Sequence, residues 1–452
     1  MRKFLAIAAV VGMLAAACSA GGSQAEEPAT VDAVDHEPMT ITISGEWSGR
    51  ECKQWKQIIQ NATNTYPWMT VEGQCGVDDD KLIAAITAGN PADAVQSFGV
   101  DNVGKFCDSG AWQDLTPYIE GPDGIDLQAT FPAGALTYTA YDGIQCALPF
   151  LTDAYGLYYN VDLFEAAGLD PAVPPTTTDA LVEYAKALTT FAPDGSIETA
   201  GFVPWFGYYC CGQNLINFSH MFGASFLADG APAFDDPAWA AMFEWQRSFI
   251  ADVYGDGDFA AGSTALQQFV AGAGDEWGAE HDFFRGRVAM MVDGEWRNAF
   301  IKDGAPDLNY LTAPIPVSPE RPDLYGSGIA GGTVIGVPKG SAHPAEAWLL
   351  VKFLATDTAT LVQMANLINN VPTTFDAIAS PDLAVPDQFR IFMDIFQNPN
   401  SHYVPTTVIG GEIGDYIGAF AADWQAGDAT DLEGGLSAAT EQTQNALDQA
   451  EL

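Results

Sequence analysis

Apolar positions along this chain recur with two periods in alternation. Thr40, Ile41, Thr42 and Ile43 form a β-branched run, the turn Gly45–Gly49 follows, and Cys52, Trp55, Ile58 and Ile59 then fall on one helical face. This predicts a strand feeding a helix. A strand near Met69–Glu72, a helix near Lys81–Ala88 and a strand near Ala94–Phe98 repeat the alternation. A second series begins with a strand at Ala154–Tyr159 and continues in helical patterns near Asp179–Leu188, Trp239–Ile250 and Trp296–Ile301. Thr333–Pro338 predicts a strand, Pro344 opens a helix with Ala347, Trp348, Val351 and Leu354 at helical spacing, and Leu432–Leu447 forms a closing amphipathic helix. Strands alternating with helices imply two α/β bodies, each a mostly parallel sheet covered on both faces.

The first residues follow neither rhythm. Arg2 and Lys3 precede an apolar run from Phe4 to Leu14, and Ala15–Ala17 lead into Cys18. The run is shorter than the roughly 20 residues a membrane span needs and has the build of a secretory signal. Small residues directly before a cysteine resemble the bacterial lipobox, which implies that Cys18 is lipidated. Residues 19–38 are small, acidic and aperiodic, as suits a flexible tether. The expected location is therefore the outer face of the cytoplasmic membrane, at the cell surface or in the periplasm, held by a lipid anchor.

Charge narrows the partners. The chain has 17 Lys and Arg against 59 Asp and Glu, a formal net charge of −42. No basic surface is available to displace counterions from phosphates, so nucleic acid is not expected as a partner. Hydrophobic residues make up 48% of the chain, enough for sizeable cores.

Six cysteines follow Cys18, and in an oxidising compartment an even number favours disulfides. The predicted strand ends bring Cys52 near Cys75 and Cys107 near Cys146. Adjacent Cys210 and Cys211 are left either as a vicinal ring or as two free thiols.

No catalytic signature stands out. Gly326, Gly328 and Gly331 have the spacing of a dinucleotide fingerprint, yet Thr333–Val337 continues as a strand where that motif requires a helix. No Walker loop or nucleophile elbow is present, and the histidines lack zinc-ligand spacing. Asp252, Asp256 and Asp258 miss the calcium-loop pattern and are read as a solvated turn. No cofactor, metal or catalytic residue is expected. What does recur is aromatic side chains near turns and glycines: Trp47, Trp112, Trp205, Tyr208, Tyr209, Trp277 and Trp296. An indole face can stack on the apolar face of a pyranose while neighbouring carboxylates and amides take its hydroxyls.

The run LPFLTDAYGLYYNVDLFE from Leu148 to Glu165, with AAGLDPAVPPTTTDAL after it, resembles a characteristic segment of the maltose-type extracellular solute-binding proteins, family 1 of the sugar-binding lipoproteins. Gly110–Ile119, Phe284–Trp296, Gly331–Leu354 and Val371–Thr373 extend the similarity over nearly all of the chain after Cys18. The resemblance implies a two-lobed, type II periplasmic-binding-protein-like fold, with residues 39–151 and 328–370 in one lobe and 152–327 and 371–452 in the other. Hinge crossings are expected near Thr152, near Ser327–Gly331 and before Val371, with closure on a ligand. It further implies the substrate-binding component of an ABC importer, acting as a monomer, with a mono- or oligosaccharide as ligand and a membrane permease as partner. Polyamine and glycerol-phosphate binding are the alternatives within the fold; a secreted polysaccharide hydrolase is the alternative outside it.

By position, the ligand set is Glu46, Trp47, Asp101, Asn102, Asp153, Tyr155, Trp205, Tyr208, Tyr209, Trp296, Gly331, Gly332 and Asn370. Trp296, in the Asp-Gly-x-Trp turn, is the expected stacking residue. Its replacement by Ala is expected to weaken binding while leaving thermal stability nearly intact.

Overall fold

The computed structural model describes residues 36–209 and 212–450. Its organising element is the main sheet, whose ten strands in chain order are β1 (Met39–Gly45), β2 (Met69–Cys75), β3 (Ala94–Ser97), β4 (Leu148–Asn160), β5 (Thr190–Phe191), β6 (Ile197–Phe202), β7 (Val288–Gly294), β8 (Tyr310–Ala313), β9 (Ala330–Gly336) and β10 (Val371–Pro372). The order across the sheet is β2-β1-β3-β9-β4-β7-β6-β5, with β8 and β10 also paired to β4. β1 runs parallel to β2 and β3, joined by the helices that the apolar periodicity predicts, but the sheet is mixed and not mostly parallel as expected, because β4 and β9 run antiparallel to their neighbours. The predicted signal, lipidated Cys18 and most of the tether lie outside the described residues.

β4 is the longest strand and belongs to two neighbourhoods. Up to Ala154 it pairs with β9 on one side and β10 on the other, as in Gly331↔Asp153 and Val371↔Thr152. From Tyr155 onward the neighbours are β7 and β8, as in Gly294↔Tyr155 and Ala313↔Leu157. The sheet thus changes partners on both edges between Thr152 and Leu157, and the fold is two-lobed α/β with β4 running through both parts. Every residue of β4 except Asp153 is buried, which explains a near-continuous apolar run without alternation. At its end Asn160 caps the helix Val161–Ala166 by accepting from the Leu163 N–H at 3.0 Å, the physical basis of the Asn-Val-Asp-Leu-Phe run.

Aromatic packing fills both parts. Trp55 and Ile58 of the helix Gly49–Ile58 are buried against the first, and Trp239, Phe243 and Phe249 of Pro237–Tyr254 against the second. Pro237 sits in the first turn of its helix, and Asp236 accepts from the Ala238 N–H at 2.8 Å. Two disulfides, Cys52–Cys75 and Cys107–Cys146, join the pairs expected from the strand ends. Cys210 and Cys211 lie outside the described residues. Among the described residues no helix is long and apolar enough to cross a membrane.

A candidate ligand cleft at the partner change of strand β4

A cavity of about 200 Å³ opens where β4 changes partners. Trp47, Glu51, Phe98, Asp153, Gly331, Gly332, Thr333 and Asn370 reach it from the chain around β1, β3, β9 and β10. Tyr155, Gln213, Trp277 and Trp296 reach it from the other side, and Tyr403 completes the wall. None of these lining residues is Lys, Arg or His. Rings from both sides line a space edged with carboxylates and amides.

The rings are held firmly. Trp47 is 3% exposed and meets Phe98 and Phe150 edge to face at 5.4 and 6.0 Å. Trp296 is 7% exposed, packs edge to face on Tyr155 at 5.5 Å, and its buried Nε1 has no hydrogen-bond partner. Gly294 is required beneath it, because a Cβ there would meet the indole at 2.2 Å. Gly332 has φ 133°, a conformation closed to ordinary side chains, and the ring of Tyr403 lies against neighbouring Gly331.

Behind the wall lies a polar knot. Asn370 Nδ2 donates to Asp153 Oδ1 at 2.7 Å and to Glu295 Oε1 at 2.8 Å, and Glu295 Oε2 accepts from the Ala154 N–H at 2.8 Å. The Asp153 and Glu295 carboxyls also hydrogen-bond to each other. Burial pushes Asp153 up to about 7, and burial together with the Asp153 charge holds Glu295 well above the ordinary carboxyl range. Both shifts favour the protonated form, which lets a fully buried carboxyl sit beside another without two uncompensated charges.

Of the thirteen positions expected from the sequence, Trp47, Asp153, Tyr155, Trp296, Gly331, Gly332 and Asn370 line this cavity. The other six do not. Glu46 accepts from the Phe98 N–H at 2.5 Å and so steadies the loop carrying a lining ring; burial raises its carboxyl to about 7. Asn102 donates to Asp79 at 2.7 Å and accepts from the Gly411 N–H at 3.2 Å, so both ends of its amide are engaged away from the cleft. Asp101, beside it, has its carboxyl close to Gly411. The backbone of Trp205 accepts from Asn214 at 3.2 Å. Tyr208 donates to Asp282 at 2.6 Å, and Tyr209, at φ 52°, donates to the Gly274 carbonyl at 3.1 Å while its ring stacks on His281. These two phenols bind the loop that carries Trp277 and not the cleft itself.

The sequence reading missed Glu51, Phe98, Gln213, Thr333 and Tyr403, and singled out Trp277 as an aromatic near a turn without placing it in the site. Phe98 carried a usable signal, an apolar residue at a predicted strand end just before Gly99. Tyr403 carried none. Trp112, also singled out, is core: it is 1% exposed and stacked on Phe106. No group of three or more potential metal ligands occurs among the described residues.

The two-part α/β body thus carries a ring-lined cleft at the strand its parts share. Over residues 57–360 the chain matches the family model for bacterial extracellular solute-binding proteins, about two-thirds of its length, and it belongs to that family. A solved structure of CpMnBP1 with mannotriose bound is similar over 89% of this chain and 99% of that one, at TM-score 0.76 and 27% identity. The maltotriose-binding protein of Pyrococcus abyssi is 23% identical over 308 residues, 68% of this chain and 60% of that protein. The sn-glycerol-3-phosphate-binding periplasmic protein UgpB of Escherichia coli O1:K1 / APEC is 28% identical over 322 residues, 69% and 68% of the respective chains. The first curated relatives are thus matched over only about three-fifths of their length.

Proposed function

We propose that this chain is the substrate-binding component of an ABC importer and captures a neutral mono- or oligosaccharide by closing its two parts about β4. The observation that carries the reading is the wall of the cleft: rings from both sides, Asp153 and Asn370 between them, and no basic side chain. Such a surface stacks on pyranose faces and takes hydroxyls in directional hydrogen bonds. The relatives that bind mannotriose and maltotriose support it. The division into 39–151 with 328–370 and 152–327 with 371–452 belongs to the same proposal, supported by the partner change in β4. So do lipidation at Cys18, action as a monomer, delivery to a membrane permease and the absence of catalysis.

Glycerol phosphate has the UgpB likeness in its favour, but a phosphate would find no cation among the lining residues. Glu51 and Asp153 beside the rings suit a polyamine better. A thermal-shift panel of neutral sugars, sugar phosphates and polyamines decides among them, because a ligand that binds only the native state raises the melting temperature. A rise with neutral sugars alone is expected. A rise confined to polyamines or phosphates refutes the sugar reading, and cleavage of an oligosaccharide during incubation refutes the absence of catalysis.

A further inference from the structure

The rings of the cleft fall into two sets. Trp47, Tyr155 and Trp296 are 3, 5 and 7% exposed, whereas Trp277 is 45% and Phe98 41% exposed. Phe98 and Trp277 approach from opposite sides of the cavity. A half-exposed indole that lines a cleft offers a stacking face to a ligand, provided that the ring is fixed in place.

Trp277 is fixed. Beneath it Arg297, fully buried, bonds Asp293 at 2.6 Å and the Glu276 carbonyl at 2.7 Å, and places its guanidinium 5.2 Å from the Trp277 ring centre. Phe300 braces the same ring at 5.2 Å. The loop is tied down further by Tyr209 to the Gly274 carbonyl at 3.1 Å and by Arg287 to the Gly272 carbonyl at 2.8 Å.

We propose that Trp277 forms an outer stacking subsite that selects oligosaccharides over monosaccharides, with Arg297 as its positioning residue. This rests on the sugar reading above. A single pyranose against the inner rings leaves Trp277 in water, whereas a chain leading out of the cleft covers it. The gain from a second and third sugar unit is then carried by this indole.

The test is calorimetric titration of wild type, Trp277→Ala and Arg297→Lys with glucose, maltose and maltotriose, and with mannose, mannobiose and mannotriose. In wild type, affinity should rise with length in at least one series. In Trp277→Ala the trisaccharide-to-monosaccharide affinity ratio should fall roughly ten-fold, equivalent to ~1.4 kcal/mol, about the size of one aromatic stacking contact. Arg297→Lys should lower the ratio in the same direction and change the Trp277 contribution to intrinsic fluorescence, which a general loss of stability would not do selectively. A ratio unchanged in Trp277→Ala, or wild-type affinity independent of length, overturns the subsite and leaves the sugar reading standing. Failure of wild type to bind any member of either series overturns both.

Discussion

The shared proton at the base of the cleft makes a quantitative prediction for Glu295→Gln. Glu295 is fully buried, is bonded to Ala154, Asn370 and Asp153, and is held well above its ordinary value, chiefly by burial. In the unfolded chain its carboxyl releases its proton near the ordinary value of 4.5. Above that pH the native state holds one proton more than the unfolded state, so the contribution to stability is complete below about 4.5 and declines as pH rises towards the native value. The slope is about 1.4 kcal/mol per pH unit. Gln imitates the protonated carboxyl and does not titrate. Its amide meets Asn370 differently, but that offset does not depend on pH. The stability of Glu295→Gln relative to wild type should therefore rise between pH 5 and pH 7, by at most about 1.4 kcal/mol per pH unit. Guanidinium unfolding of both proteins at fixed ionic strength, with equal m-values, reads this difference, and the acidic residues other than Asp153, which contacts Glu295, titrate alike in both. A relative stability that is flat or falls over that range would refute the shared proton.

Other perturbations probe other parts of the molecule. Trp296→Ala, expected from sequence to leave stability nearly intact, should instead cost roughly 3–5 kcal/mol along with ligand affinity, because the indole is 7% exposed and packs on Gly294; differential scanning calorimetry beside titration checks both effects. Opening Cys52–Cys75 by a double Ser substitution should cost about 3 kcal/mol, the loop entropy of a 23-residue separation, measured by unfolding under non-reducing conditions. His220, buried beside Ser327 and His402, is lowered to about 3, mainly by burial. The unfolded chain takes up this proton first as pH falls, so stability is lost between about 6.5 and 3. His220→Gln should gain on wild type by about 1.4 kcal/mol per unit as pH drops from 6 to 4, and an unchanged difference across that range would count against it.

Periodicity and motif determined much of this protein in advance: the alternation of strands and helices, the buried strand at Leu148–Asn160 with its cap, the helix opened by Pro344, and both disulfides. These are local properties, since a period of two or of 3.6 and a capping side chain act within a few residues. The make-up of the cleft is not local. Asp153 joins the site because Asn370 and Glu295 arrive from 217 and 142 residues further along the chain. Asn102 follows the same strand as Phe98 does, yet is withdrawn because the N–H of Gly411, 309 residues away, takes its amide oxygen. Burial patterns along a chain show that a side chain will be covered. Only the folded sheet, by choosing which distant segment does the covering, decided which rings were left facing the ligand.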